Sequence, residues 1–515
     1  MTPPSIATLG ELRSSGHVHR GVKAEIRQNL IERLEAGEPS LPGIVGFDDT
    51  VIPEVERALL AGHDIVLLGE RGQGKTRLIR TIVGLLDEWT PVIAGCEIND
   101  HPFAPSCGRC RALVDTDGEL TPVAWKHRSE RYGEKLATPD TSVGDLIGDV
   151  DPIKVAQGRT LGDPETIHYG LVPRTNRGII AVNELPDLAE RIQVALLNVL
   201  EERDIQVRGY QLRLPLDLLL VASANPEDYT NRGRIITPLK DRFGAEVRTH
   251  YPLELADELA LVAQEAAVLW TDTSHPAPVV PAHLLEVVGR FARNVRDAPQ
   301  VDQRSGVSAR FAIAAVETLA ASAVRRAAIT GETLAVARIC DLPCVIPASR
   351  GKVEFDDADE GREFEVLEHL LRRAIAETYR ARLAGLDLRP LQDKFDNGLT
   401  VASGDTVSAD DLLAQLGPVP VLSALLERLE PGGIGEGPAA VGIAAAVLEF
   451  AMEGLHLNKR LAKDTDGART VYGSCARGTG RGTADLILWH RPTTSARRST
   501  RSATTSWPGP RRGRH

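Results

Sequence analysis

Residues Gly69 to Thr76 read Gly-Glu-Arg-Gly-Gln-Gly-Lys-Thr, which fills every fixed position of the G-x-x-x-x-G-K-[ST] phosphate loop. Such a loop works only between a buried strand and a helix, so it constrains the fold before any other feature. Its flanks agree. Residues 64–68 form a short apolar run, as a buried parallel strand should, and residues 77–86 have helical spacing. Gly69, Gly72 and Gly74, alternating with Glu70, Arg71 and Gln73, let backbone N–H groups wrap a phosphate, and the helix N-terminus adds partial positive charge. Lys75 is placed to reach the β- and γ-phosphates and the Thr76 hydroxyl to hold Mg²⁺. ATP with Mg²⁺ is the expected ligand.

Composition sets the outer bounds. At 515 residues the chain has room for roughly two to four domains. Hydrophobic residues at 42% and charged residues at 25% are ordinary for a globular protein, but aromatics are only 4%, so its cores must rest on Leu, Val, Ile and Ala. No stretch approaches the roughly 20 apolar residues needed to span a bilayer. The N-terminus lacks a basic region followed by an apolar run. Six cysteines are too sparse for a disulfide scaffold. A cytoplasmic protein without a membrane partner is expected. The net charge of −11 argues against direct nucleic-acid binding. Nine Arg against one Asp make residues 475–515 basic by +8, which leaves −19 on the rest of the chain.

Residues 1–40 read as a helical lead-in, with helical spacing over 22–34. From 41 to 252, apolar runs at 65–68, 178–182 and 218–222 alternate with helical stretches. That is the pattern of an α/β parallel sheet with helices on both faces, here with an insertion at about 93–135. Residues 253–330 turn all-helical, over 253–269, 282–295 and 309–327. Residues 331–474 continue as a helical C-terminal extension, with stretches at 361–384, 408–416, 421–429 and 439–453. The Arg-, Thr-, Ser-, Gly- and Pro-rich tail at 475–515 cannot build a core. It is either a disordered basic arm or sequence read out of frame from a GC-rich message.

A phosphate loop needs a metal-orienting acid and a water-polarising group on a neighbouring strand. The run at 178–182 ends in Asn183-Glu184. Asn183 stands where an Asp usually orients Mg²⁺; it keeps a coordinating oxygen but lacks the charge, which loosens its hold on the metal. Glu184 holds the position of the base that orients the attacking water. The next run ends at Ser223-Ala224-Asn225-Pro226, which places Asn225 at the ligand-binding edge of the sheet, although Asn-Pro is also an ordinary turn start.

With Pro238-Leu239-Lys240-Asp241-Arg242-Phe243-Gly244 added, the order of parts resembles the AAA+ P-loop ATPases, and more specifically the magnesium chelatase ATPase subunit and its MoxR-like relatives. The resemblance rests on Gly43-Ile44-Val45-Gly46, the phosphate loop, the strand ending at Glu184 with Leu185-Pro186-Asp187-Leu188 after it, Ala224-Asn225-Pro226, and Leu239 to Gly244. It spans roughly residues 41–330. It implies ATP hydrolysis in a homo-oligomeric ring, a hexamer, with a helical lid at 253–330 and a partner protein carrying a von Willebrand A-type domain. It makes Arg242 an arginine finger for the neighbouring subunit's nucleotide, Arg310 (with Arg304 a rival) the sensor at the start of a lid helix, and Ile44, Val45 and Gly46 the adenine side. The client stays open between porphyrin metallation and remodelling of another partner. In a different class stands an AAA+ regulator of the sigma-interacting kind, which would bring a Gly-Ala-Phe-Thr-Gly-Ala loop and a helix-turn-helix; neither is evident. A low-turnover nucleotide-binding scaffold is a third class, suggested by Asn183.

The insertion carries Cys107-Gly108-Arg109-Cys110, a C-x-x-C knuckle, with Cys96 and His101 close by. Three thiolates and one imidazole suffice for a tetrahedral zinc site; a redox pair and plain packing thiols fit the same spacing. The glycine-containing stretch 138–173 reads as surface loops, which by the resemblance would face the ring pore with Lys154 and Arg159.

Overall fold

The computed structural model describes residues 2–475, apart from 152, 154–155, 157–165, 203–204, 208–209, 213, 227–233, 269–275, 303–305, 356–360, 434–435 and 468. Arg304, Lys154, Arg159 and the basic tail beyond 475 lie outside the described residues.

Five strands build the central sheet: β1 (Ile65–Leu68), β2 (Tyr132–Leu136), β3 (Gly178–Asn183), β4 (Leu218–Ala224) and β5 (Ala245–Arg248). All pair in parallel, in the order β5-β1-β4-β3-β2. The helices used below are α1 (Val22–Glu35), α2 (Val51–Ala61), α3 (Lys75–Ile82), α4 (Gly108–Asp117), α5 (Glu190–Glu202), α6 (Thr237–Arg242), α7 (Leu255–Glu265), α8 (Ala282–Arg296), α9 (Ala309–Thr330), α10 (Glu363–Leu383) and α11 (Pro438–Leu457).

The three inner strands are apolar up to their C-terminal ends, where Asn183 and Ser223 lie, because both faces of the sheet are covered. Ile65, Leu67, Ile179, Ala181, Leu219 and Val221 pack with α1, α2 and α3. Their alternates Val66, Leu68, Ile180, Val182, Leu218 and Leu220 turn to the other face, against Ile192, Leu196 and Val199 of α5. The two edge strands, β2 and β5, do not follow from apolar runs. Each has one neighbour in the sheet and carries polar residues, Tyr-Gly-Glu-Lys-Leu and Ala-Glu-Val-Arg.

Register brings the functional ends together. Leu68 pairs with Ala224, and Ala222 with Val182. The first residues past three strands, Gly69, Asn225 and Glu184, therefore emerge along one edge of the sheet. The insertion leaves through an antiparallel pair, Trp89–Ile93 with Val123–His127, and contains α4.

Beyond the sheet, one apolar core runs from Val262 on α7 through α8, α9, α10 and α11 to Tyr472. The 253–330 and 331–474 stretches share it. The extension is not helical throughout: Val401–Gly404, Arg469–Ser474 and Leu461–Asp466 form a small antiparallel sheet in that spatial order. A second correction concerns α11. It is long and apolar enough to cross a membrane by length and composition, against the expectation that no stretch reaches that length, and 78% of its apolar 18-residue window is buried inside the protein. Its two acids sit inside that core. Glu449 accepts hydrogen bonds from the Cys340 amide at 3.0 Å and the Ser403 hydroxyl at 2.6 Å, and lies 3.5 Å from the buried Arg338 guanidinium. Glu453 takes the Tyr472 hydroxyl at 2.7 Å and Lys463 at 2.8 Å.

Candidate nucleotide site

The phosphate loop has the backbone its sequence requires. Gly72 and Gly74 take φ of +75° and +77°, where side chains are disfavoured, and α3 starts at Lys75 with Gly74 as its cap and no side chain covering its first N–H groups. A phosphate fits that bare helix start. Gln73 braces the loop, its side-chain oxygen accepting from the Glu70 amide at 3.0 Å and the Thr249 hydroxyl at 2.8 Å. Tyr251 donates to the Arg71 carbonyl at 2.8 Å.

Lys75 is buried, and its ammonium donates to the carbonyls of Gly69 and Glu70 and, at 2.9 Å, to the Asn225 side-chain oxygen. The Asn225 amide in turn donates to Glu184 at 2.6 Å. The first residue of α3 and the residues that follow β4 and β3 thus form one connected chain. Glu184 sits in the left-handed region, at φ 56° and ψ 46°, a conformation that costs a non-glycine residue about 1–2 kcal/mol and that clusters at functional sites. Thr76, half-buried, occupies the first turn of α3.

Asn183 is buried one residue before Glu184. Its oxygen accepts the Ser223 hydroxyl at 3.1 Å, and its amide donates to the Glu134 carboxylate at 2.8 Å. Glu134 lies on edge strand β2 and receives Arg80 through two bonds, at 2.9 and 3.1 Å, and Tyr132 at 2.9 Å. Burial pushes the Glu134 carboxyl up, but the bonds from Arg80 and Tyr132 outweigh it and hold the group below its ordinary range. It is therefore an anion at neutral pH. Sequence reasoning missed Glu134 because its strand carries no apolar run. Thr76 and Asn183 carry the kind of hard oxygen donor that suits Mg²⁺, and Glu134, saturated by Arg80 and Tyr132, fixes the orientation of the Asn183 amide.

Ile44, Val45 and Gly46 are half-buried between α3 and α7. The Gly43 carbonyl accepts from Arg77 of α3 at 3.2 Å and from Gln264 of α7 at 3.0 Å, and a Cβ on Gly46 would lie 3.1 Å from Asp257. The start of α9 reaches the loop directly: a Cβ on Gly72 would fall 2.0 Å from the Ser308 Cβ. Arg310, exposed, follows two residues later in the first turn of α9. A cavity of about 500 Å³ opens between loop and lid, lined in part by Glu70, Gln73, Tyr251, Arg296 and Val307. Arg242, at the end of α6, is half-exposed and pairs with Glu201 of α5 at 2.6 Å, so it points along the outer surface.

In the insertion, Cys96, Cys107 and Cys110 do converge, but the fourth group is Asp100, not His101. The His101 Nδ1 accepts the Phe103 amide at 3.0 Å, and its Nε2 lies 3.3 Å from that of His17. Its ring packs against those of His17 and His19. Burial, with Arg177 and His19 beside it, pulls its pKa down to about 2.

The sheet order, the phosphate loop at a bare helix start and the Lys75–Asn225–Glu184 chain define a nucleotide-binding core of the AAA+ class. A family model for the sigma-54 interaction domain matches residues 160–242. Among curated relatives, the magnesium-chelatase subunit ChlI of Anabaena variabilis is 29% identical over 206 residues, 39% of this chain and 57% of the relative. ChlI of Guillardia theta is 30% identical over 191 residues, 36% of this chain and 50% of the relative. The chain is thus an AAA+ protein related to magnesium-chelatase ChlI, and it spans about half the length of the curated relatives it matches. A complex between subunits BchI and BchD of magnesium chelatase, known from single-particle cryo-EM, aligns with 22% identity over 64% of this chain and 97% of that one, at a TM-score of 0.33.

Proposed function

We propose that this protein is a cytoplasmic, ATP-hydrolysing AAA+ motor subunit that works in a homo-oligomeric ring, a hexamer, and acts on a client together with a von Willebrand A-domain partner, as a chelatase or MoxR-type remodelling subunit. The observation that carries it is the hydrogen-bonded run from Lys75 through Asn225 to Glu184, with Arg242 turned to the outer surface. In hydrolysis the loop amides and Lys75 bind the triphosphate; Thr76 and Asn183, the latter oriented by Glu134, would hold Mg²⁺, which when bound would supply charge compensation at the phosphate oxygens. Glu184 orients and deprotonates the attacking water, and Asn225 holds Glu184 toward the γ-phosphate. A neighbour's Arg242, freed from Glu201, would stabilise the transferring group, a role worth about 10³–10⁵ in rate in GTPases.

The sigma-54 interaction match favours a second reading, remodelling of a sigma factor. That match ends at Arg242 and covers the hydrolytic strands β3 and β4, which both readings share. The chain contains no Gly-Ala-Phe-Thr-Gly-Ala loop, and the chelatase-type reading is kept. The test is ATP turnover by wild type, Glu184→Gln and Arg242→Ala, with assembly state recorded alongside. Equal turnover by all three overturns the assignment.

A further inference from the structure

We propose that Cys96, Asp100, Cys107 and Cys110 form a structural zinc site that pins the insertion onto the face of the sheet opposite α1. The ligand atoms of these four side chains all lie within 4.8 Å of one another. Zinc held tetrahedrally by thiolates at about 2.3 Å needs sulfurs about 3.8 Å apart, so the cluster closes onto one ion with sub-ångström to ångström adjustments.

The local backbone is built for it. Cys107 caps the N-terminus of α4, and its sulfur accepts the Cys110 amide at 3.3 Å. The Cys96 sulfur accepts the Asp100 amide at the same distance. These amide bonds fix two of the sulfurs, at the start of α4 and in the turn before it. The Asp100 carboxylate is buried, and its hydrogen-bond donors are the neutral Ser106 amide and hydroxyl and the Cys107 amide. A cation beside it answers the cost of burying that charge. Three converging sulfurs cannot all be used by disulfides, and all the cysteines are free thiols. Soft sulfur donors with a single carboxylate select zinc over Mg²⁺ or Ca²⁺.

The placement says what the ion holds. Cys96 and Cys107 pack against the core beneath β3 and β4. Between them, the Asn99 amide donates to the Arg174 carbonyl at 2.7 Å, and the Asn176 amide donates to the Ile98 carbonyl at 2.9 Å. Residues 174–176 lead straight into β3, the strand that ends at Asn183 and Glu184. The site therefore anchors the insertion to the approach of the hydrolytic strand.

The test uses the full chain, purified under reducing conditions from zinc-supplemented cells. Metal is measured by mass spectrometry, and release is followed on thiol titration. About one zinc per chain is expected in wild type and in His101→Ala, with loss from Cys107→Ser/Cys110→Ser and reduced retention in Asp100→Asn. Reconstitution with cobalt should add thiolate-to-cobalt charge-transfer absorption in wild type. ATP-analogue binding monitors folding of the variants, and Cys96→Ser serves if the double variant is insoluble. The proposal is overturned by wild type that carries no zinc and gives no such absorption, by full zinc in the cysteine variants, or by zinc lost from His101→Ala alone.

Discussion

Asn183 stands where phosphate-loop ATPases usually carry an aspartate, and its amide is hydrogen-bonded to Glu134 of the neighbouring strand. The amide oxygen accepts the Ser223 hydroxyl, and the Glu134 carboxylate, 2.8 Å from the amide nitrogen and itself paired with Arg80, fixes which way that oxygen faces. Glu134→Gln should raise the Mg²⁺ concentration needed for half-maximal turnover by about tenfold, in line with the effect of residues that orient metal ligands. A magnesium titration of the steady-state rate reads this, and an unchanged midpoint would remove Glu134 from the site. Glu184→Gln should leave ATP affinity near wild type and lower turnover by about 10²-fold or more, since a general base contributes that much. Retained turnover would place the base elsewhere. Asn183 and Glu184 are legible in the sequence because they end an apolar run. Glu134 is not, because an edge strand alternates polar residues and looks like loop. His101 illustrates the opposite failure: proximity in sequence to the C-x-x-C knuckle suggests a ligand, but its ring turns to His17 and His19 while the adjacent Asp100 turns inward.

Elements show the same division. The inner strands β1, β3 and β4, and helices α1, α8, α9 and α10, follow from apolar runs and helical spacing because burial decides their residues. Strands β2 and β5, and the strand at 401–404 that joins the local hairpin of 461–466 and 469–474, depend on pairing between distant segments that a local pattern does not record. Helix α11 is the instructive case. By composition it passes for a membrane span, yet Glu449 and Glu453 tie it to Arg338, Ser403, Lys463 and Tyr472. Removing one member of a buried pair costs about 3–5 kcal/mol. Glu449→Ala should therefore lower the urea midpoint of the C-terminal unit, followed by circular dichroism, and a midpoint equal to wild type would show that Arg338 needs no partner. At the other end of that unit, Gly72→Ala places a methyl group against Ser308 at a φ that disfavours it. The expected result is a loss of ATP affinity of about tenfold or more, measured with a fluorescent analogue; about 1.4 kcal/mol of strain suffices for that. Wild-type affinity would mean that lid and loop do not meet in the bound state.

At the scale of the whole molecule, Arg242 lies on the surface, paired with Glu201, and the proposed ring gives it a second partner. Mixing Arg242→Ala with Glu184→Gln, each inactive alone, should restore part of the turnover, because one interface in the mixed ring can join an intact base to an intact arginine. No recovery across mixing ratios would place both residues within one subunit's chemistry.

The contact between Ser308 and Gly72 has a mechanical reading. Helix α9 has 22 residues and so runs about 33 Å from the phosphate loop into the shared core of residues 262–472. Close-packed interiors transmit displacement instead of absorbing it. A helix anchored that way is a stiff strut between the phosphate loop and the core shared by α7 to α11, so a shift at the loop end would be felt in that core.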